Sequence, residues 1–331
     1  MPKKTLEDLS DFLLARCQAD LLTSTRIQLL QDFGNTSIQT WVKREDESGF
    51  GISGCKKRKY ASLLPWLLKR QAGPIILIGG AMSNHLASFS QLLREHRLPF
   101  KAYIKESSSP IQHGNALLRE LLIAPDQVRW VSDLDWPKVW DLAQHENPKS
   151  WVIPEGGSHP QAIFGAATLG LEITRQEEKL GQCFRHVFID SGTSFMAGVL
   201  VGIRQWLQPG SSTHVVLTAG DEAFFLAQYD QLRTWSAEFH FPQPFEAANQ
   251  LTCHLPATAK AFGASNASIR RYIVESARKH GLLLDPVYTA KLFFTAEQAI
   301  RKGSLEGPVL IIHSGGGTGL MGFGKEFFPL S

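Results

Sequence analysis

Lys56-Lys57-Arg58-Lys59 places four cations in a row directly behind the turn Gly51-Ile52-Ser53-Gly54-Cys55. A helix that starts here carries the positive end of its dipole at those residues, which disfavours cations, so the run points to an anion held nearby. A lysine beside an anion cradle is also a candidate for covalent chemistry on a carbonyl. The bland alternative is a solvated helix start. A nucleic-acid patch is a poor third, because Lys plus Arg (34) barely exceeds Asp plus Glu (31), a net charge of +3.

Three more segments combine an apolar run, then small and hydroxyl residues, then a helical period. Gly79-Gly80-Ala81-Met82-Ser83-Asn84-His85 follows Ile75-Ile76-Leu77-Ile78. At a helix start its N–H groups suit a carboxylate or phosphate, with Ser83 and Asn84 as added donors, or Ser83 or Asn84 is an ordinary N-cap. Asp190-Ser191-Gly192-Thr193-Ser194-Phe195-Met196-Ala197-Gly198 follows Val187-Phe188-Ile189. It reads as a phosphate cradle, although it matches no standard nucleotide motif. A capped turn with Phe195 and Met196 in the core is its alternative. His313-Ser314-Gly315-Gly316-Gly317-Thr318-Gly319 follows Val309-Leu310-Ile311-Ile312, and such permissive backbone implies close approach of a ligand or of another chain segment.

The elements that must position these loops are legible. Short β-branched runs alternate with longer helical stretches, the pattern of an α/β protein with a parallel sheet covered by helices. Besides the runs already named, Val215-Val216-Leu217 is a strand, with weaker candidates at 38–42, 100–104, 128–131 and 151–153. Helices are expected at 59–70, 85–95, 167–178, 197–206 and 268–280. In open α/β sheets ligands sit beyond the carboxyl ends of the strands, which is where the three loops lie. Ile153 to Pro160 is a turn-rich break that is either a linker or a site loop.

With 331 residues, 43% hydrophobic and 20% charged, the chain is globular and long enough for one large or two intertwined domains. Its acidic start, Met1 to Asp8, lacks a signal peptide's apolar stretch, and no run approaches the roughly 18 apolar residues of a membrane span. A cytoplasmic protein is expected. Cys17, Cys55, Cys183 and Cys253 form no CxxC pair, so neither a disulfide framework nor a metal site is expected.

Four blocks in order resemble the pyridoxal-phosphate enzymes of the tryptophan-synthase-β type, in particular the 1-aminocyclopropane-1-carboxylate deaminase and D-cysteine desulfhydrase group. Lys43-Arg44-Glu45-Asp46 with Gly54-Cys55-Lys56-Lys57-Arg58-Lys59 resembles KR-E/D-D…GNKxRK, and Gly79 to His85 resembles GGxxSN[QH]. Gly281 to Lys291, with Asp285-Pro286-Val287-Tyr288-Thr289, is similar to GxxLDPVYTGK, and His313 to Gly316 to HTGG. The resemblance implies a fold of type II, with two open, twisted, mostly parallel sheets and helices on both faces. Residues 1–58 and 160–331 would form a larger cofactor domain, and 59–159 a smaller one closing over the substrate, in a homodimer.

The roles it implies are specific. Lys56 would carry pyridoxal 5'-phosphate as a Schiff base and act as base once the substrate amine displaces it. Lys59 and the loop Gly192, Thr193, Ser194, Phe195, Met196 and Ala197 would face the phosphate, and Asn84 the ring hydroxyl. Ser83 with the N–H groups of Asn84 and His85 would hold the carboxylate of a small amino-acid substrate. Tyr288 would serve as acid, base or nucleophile, and Ser314 or Thr289 would meet the ring nitrogen. His85, Thr289 and Ser314 lean towards a desulfhydrase: Cα–H abstraction, β-elimination of a thiol, and hydrolysis to a 2-oxo acid and ammonia. Ring opening of the deaminase kind is the alternative. A silent cofactor-binding protein is another, since Cys55 stands for the family's Asn, the Ser191 to Gly198 loop looks one residue short, and Ala264 stands where a second tyrosine is usual.

Overall fold

Ile75 to Ile78, Val187 to Ile189, Val215 to Leu217 and Val309 to Ile312 are almost wholly removed from water, as strands covered on both faces must be. The computed structural model describes residues 3–70, 73–107 and 113–327, so Met1 and Pro2 of the acidic start lie outside it. In chain order it runs α1 (Lys3–Leu14), β1 (Ile27–Leu30), β2 (Thr40–Arg44), α2 (Cys55–Leu68), β3 (Ile75–Gly80), α3 (Asn84–Glu95) and β4 (Phe100–Lys105). There follow α4 (Asn115–Leu122), β5 (Val128–Val131), α5 (Val139–Glu146), β6 (Val152–Ile153), α6 (Ile163–Leu180), β7 (His186–Ser191) and α7 (Phe195–Leu207). The remainder is β8 (Ser212–Leu217), α8 (Glu222–Glu238), β9 (Leu251–His254), α9 (Ala267–His280), α10 (Thr289–Arg301) and β10 (Val309–His313), with short turns beyond.

Two sheets result. The larger has the order β1-β2-β10-β7-β8-β9, parallel except where β1 runs against β2, and the smaller, β5-β4-β3-β6, is parallel throughout. Alternation along each strand sorts side chains between two cores. Val187, Ile189, Val215 and Leu310 meet residues of α1, α6 and α7, whereas Phe188, Val216, Val309 and Ile311 meet α9 and α10. In the smaller sheet Ile75 and Leu77 pack towards α2 and α3, Ile76 and Ile78 towards α5.

The α/β expectation therefore holds, with differences at the ends of elements. Helix α2 starts at Cys55 rather than Lys59, because Gly54, at φ +70°, turns the chain into the helix ahead of the cationic run. All four cations are thus helical. The strand expected at 38–42 occupies Thr40–Arg44, and α7 starts at Phe195. Elements such as α8 escape the sequence reading because exposed Phe224 and Leu226 blur the helical spacing of its buried Phe225, Tyr229 and Leu232. Among the described residues no helix is long and apolar enough to cross a membrane.

The expected 58/59 boundary falls inside α2, which belongs to both halves. Its Tyr60, Leu63, Leu64 and Leu67 join the core of the smaller sheet. On the other side a Cβ at Gly165 of α6 would come within 1.9 Å of the Arg58 carbonyl oxygen, so the two backbones are in direct contact. Gly165→Ala should therefore force α2 away from α6 at a cost of about 3 kcal/mol, the upper end of overpacking penalties. Urea unfolding of the variant checks this.

Candidate active site

The start of α2 is stitched to the end of β10. The Cys55 N–H donates to the Ser314 carbonyl at 3.0 Å, and the Gly54 N–H donates to Ser48 Oγ at 2.9 Å. Gly54 has no room for a side chain, since a Cβ would lie 2.2 Å from that carbonyl oxygen. From the same helix the Arg58 guanidinium grips both oxygens of Glu45 at 2.6 and 2.7 Å and Glu172 of α6 at 2.7 Å. Lys56 then lines a cleft of about 240 Å³, open solvent included, together with Ser53, Asn84, Ser88, Ser314 and Thr318.

Helix α3 supplies one wall. Ser83 is its N-cap, Oγ accepting from the N–H groups of His85 and Leu86 at 3.2 and 3.3 Å. The ordinary capping role is thus real, and it occupies the His85 N–H expected for a ligand carboxylate, leaving the Asn84 N–H and the Ser83 hydroxyl proton. Asn84 Oδ1 accepts from Asn115 Nδ2 at 2.6 Å, and Asn115 in turn accepts from the Thr318 hydroxyl at 2.7 Å. The His85 imidazole lies behind this wall, fully buried, with Nδ1 3.0 Å from the Tyr60 hydroxyl and Nε2 without a partner. Burial, then Lys59 and Lys56, hold its pKa well below the ordinary value, so it is neutral.

Lys59 lies under the opposite loop. Its ammonium donates to the Gly156 carbonyl and stands 5.4 Å from the centroid of Phe195. Thr193 Oγ1 pairs with Ser158 Oγ at 3.0 Å, so the Ile153 to Pro160 break contributes to the site. Phe195 and Ala197 are buried in the core, and Met196 packs against the same cluster, so of 195–197 only backbone is available to an anion. Ser194 holds φ +63°, a left-handed conformation in which glycine would be unstrained.

Lys59 is also where the fit to an anionic cofactor is tested. It is buried, and its pKa is lowered to about 7, first by burial and then by Lys56 one turn away; the one ionisable group that opposes this is Cys55, whose own pKa burial raises well above its usual value. Among the groups acting on Lys59 and on the neutral His85 imidazole there is no carboxylate, which leaves at Lys59 an electrostatic hole that suits a phosphate. The residues present fit the group.

The last wall carries acids. Asp285 accepts from the N–H groups of Val287, Tyr288 and Thr289 at 2.9, 2.9 and 3.1 Å, and from the Thr289 hydroxyl at 2.7 Å. Thr289 is fully buried with its proton spent there, so it does not reach the cleft, while Ser314 does. Tyr288 rests against Gly192, and the exposed Phe262 ring meets it edge-on at 6.1 Å. Burial, then Asp285, Asp190 and Glu155, push its phenol above its usual pKa. Asp190, which sequence reasoning did not single out, is the last residue but one of β7 and acts on these groups. Its pKa is raised to about 6, chiefly by burial, and Oδ1 has no hydrogen-bond partner. An acid on a strand end ordinarily caps a turn, so only the three-dimensional neighbours reveal it.

Fold and site together define an enzyme of fold type II, two sheets with a lysine-bearing helix start between them. Residues 19–315 match the family described as "Pyridoxal-phosphate dependent enzyme", and the chain belongs to it. It is 28% identical to the "Putative 1-aminocyclopropane-1-carboxylate deaminase" of Pyrococcus abyssi over 88% of this chain and 89% of that protein. It is 26% identical to the "D-cysteine desulfhydrase" of Serratia proteamaculans, over 90% and 92% respectively. Among solved structures the "ACC deaminase homologue" superposes with a TM-score of 0.83 at 24% identity, covering 99% of both chains. The cofactor of the family is pyridoxal phosphate, as the four sequence blocks imply.

A folded-state pKa of about 6 for Asp190 lies above the unfolded value of roughly 3.9. Its protonated form is therefore favoured by folding, a contribution complete below the unfolded value and lost as pH rises through the folded one. In cofactor-free protein Asp190→Asn should match the wild type near pH 4 and exceed it by about 3 kcal/mol above pH 7. Urea unfolding at the two pH values measures this, and parallel pH profiles would contradict it.

Proposed function

We propose that the chain is a pyridoxal-phosphate-dependent lyase of a small amino acid, releasing a 2-oxo acid and ammonia by desulfhydrase-like β-elimination. The carrying observation is Lys56, placed with Asn84 and Ser314 in one cleft of a fold shared with deaminases. Lys59, Thr193 and the backbone of 192–197 would hold the phosphate, Asn84 the ring hydroxyl and Ser314 the ring nitrogen. The bound group supplies an electron sink for the charge left when a Cα proton departs.

This chain's residues do the rest. Lys56 Nζ takes the Cα proton once freed. The substrate carboxylate lies at the start of α3, on the Asn84 N–H and the Ser83 hydroxyl, where the helix dipole favours an anion. Tyr288 keeps its proton at neutral pH because burial and three carboxylates oppose its ionisation, so Tyr288 Oη offers the departing sulfur a hydrogen-bond donor. His85 stays neutral behind Asn84 and shapes the wall without competing for the anion. Closure of the smaller domain, residues 59–159, excludes water from the cleft. The chain acts as a homodimer in the cytoplasm, in keeping with its free cysteines.

A second reading, cofactor binding without turnover, is favoured by the inward turn of Phe195 and the strained Ser194, which leave the phosphate few side-chain donors. One experiment separates the two. Purified protein should show the absorbance band of a lysine-bound cofactor, absent in Lys56→Ala, and D-cysteine should shift it and yield pyruvate. 1-Aminocyclopropane-1-carboxylate in place of D-cysteine tests ring opening by its own 2-oxo acid. A band without product from either favours the silent protein, and an unchanged band in Lys56→Ala defeats both readings.

A further inference from the structure

Three histidines that the active site does not use form a row across the larger sheet. His186 begins β7, His214 is the third residue of β8 and His254 ends β9. Strand pairing sets Phe188 beside His214 and Val216 beside His254, so the row climbs the sheet diagonally, two residues further along on each strand. The rings are in hydrogen-bond contact: His186 Nδ1 lies 3.0 Å from His214 Nε2, and His214 Nδ1 lies 2.9 Å from His254 Nε2. The Phe188 ring lies flat on His214, with centroids 4.3 Å apart. At the other end His186 Nε2 is 3.2 Å from the Glu306 carbonyl oxygen.

That carbonyl orders every proton in the row. A carbonyl oxygen only accepts, so His186 carries its proton on Nε2 and, when neutral, a lone pair on Nδ1. His214 must then donate from Nε2, which leaves its own Nδ1 bare, and His254 must donate from Nε2 in the same way. The last lone pair of the row is on His254 Nδ1. A proton taken up there can pass along the row, each hop breaking an Nε2–H bond on one ring and forming an Nδ1–H bond on the next. A second added proton would set two N–H groups head-on in one of the short contacts and part it. The intact row thus holds one added proton at most. Its surroundings oppose even that one, since burial depresses all three rings, His214 to about 3, and the charged side chains acting on them, Arg185 on His186 and Lys302 on His254, are cations. Glu306 meets the row through its backbone.

Among the described residues β9 pairs with β8 alone, at the edge of the sheet. The segment beyond it is tied to α10, the Ala257 N–H donating to Thr295 Oγ1 at 3.0 Å and Lys291 to the Ala261 carbonyl at 2.7 Å, and it carries Phe262 against Tyr288. We propose that the imidazole row is an acid-sensitive latch on β9 and on the segment that carries Phe262, closed while both links stand and released when acid supplies more protons than the row can hold. Once freed, His254 returns to the ordinary histidine value of about 6.5, so the released state binds more protons in acid. The latch is at full strength above that value and weakens as pH falls below it.

The test is amide hydrogen exchange on the purified full chain at pH 7, 6 and 5, with protection at β9 and residues 255–266 compared with that at β3 in the other sheet. Wild-type protection at β9 should fall roughly tenfold between pH 6 and pH 5 while β3 holds, because release binds one more proton. His254→Gln, whose amide can still donate to His214 but takes up no proton, should keep its protection over that range. Nitrogen-15 spectra of the histidine rings at pH 7 need no variant: all three should be in the Nε2–H form, with couplings across both N–H···N contacts. Protection at β9 that does not change with pH, an equal fall in His254→Gln, or any of the three rings in the Nδ1–H form at neutral pH overturns the proposal.

Discussion

Arg58 is the constraint from which the site follows. Its guanidinium, almost wholly buried, is shared by Glu45 and Glu172, and Lys43 closes the same cluster against Glu172 and the Thr25 carbonyl. Removing one member of such a group strands a buried charge, at about 3–5 kcal/mol, so the pairing is rigid whatever its net contribution. Helix geometry turns that rigidity into function. At about 100° per residue, Lys56 stands roughly 200° from Arg58, while Lys59, a turn beyond Lys56, returns to within about 60° of it. Anchoring Arg58 on α6 and the turn after β2 therefore sends Lys56 to the opposite side, into the cleft, and Lys59 about 100° from Arg58, under the Gly156 carbonyl.

The backbone completes the placement. Gly54 and Gly315 lie so close that a Cβ on Gly315 would stand 2.9 Å from Gly54 Cα, and both hold positive φ. Side chains at either position would separate the start of α2 from the end of β10, and with it Lys56 from Ser314. The glycine-rich loop after β10 is thus explained by one close approach of chain to chain, and the cleft opens beside it.

Much of this was legible in the sequence, and the remainder failed for identifiable reasons. Buried parallel strands write themselves as continuous apolar runs, so the architecture and the three loops at the strand ends could be placed from residue types alone. The resemblance then assigned Lys56, Asn84 and Ser314, which the structure brings together. No sequence pattern could say which of Thr289 and Ser314 reaches the cleft, because that depends on whether the Asp285 carboxylate turns back onto its own helix start, as it does. Asp190 and Tyr60 were silent for a similar reason, since an acid ending a strand and a tyrosine on a helix are ordinary until their neighbours are known. The start of α2 was obscured by its own cations, which are good helix formers but which the dipole disfavours at a helix start.

Those cations and the missed acid belong to one arrangement. Lys56 and Lys59 project from the start of α2 beside the starts of α3 and α7, where helix dipoles add positive potential. Asp190 and Asp285 stand at the carboxyl side of β7 and before α10, one with an unsatisfied oxygen and the other saturated by its own backbone. Folding therefore keeps, on two sides of Lys56, a buried carboxylate oxygen without a partner and a lysine whose charge burial disfavours, each at a cost in stability of the kind that functional sites carry.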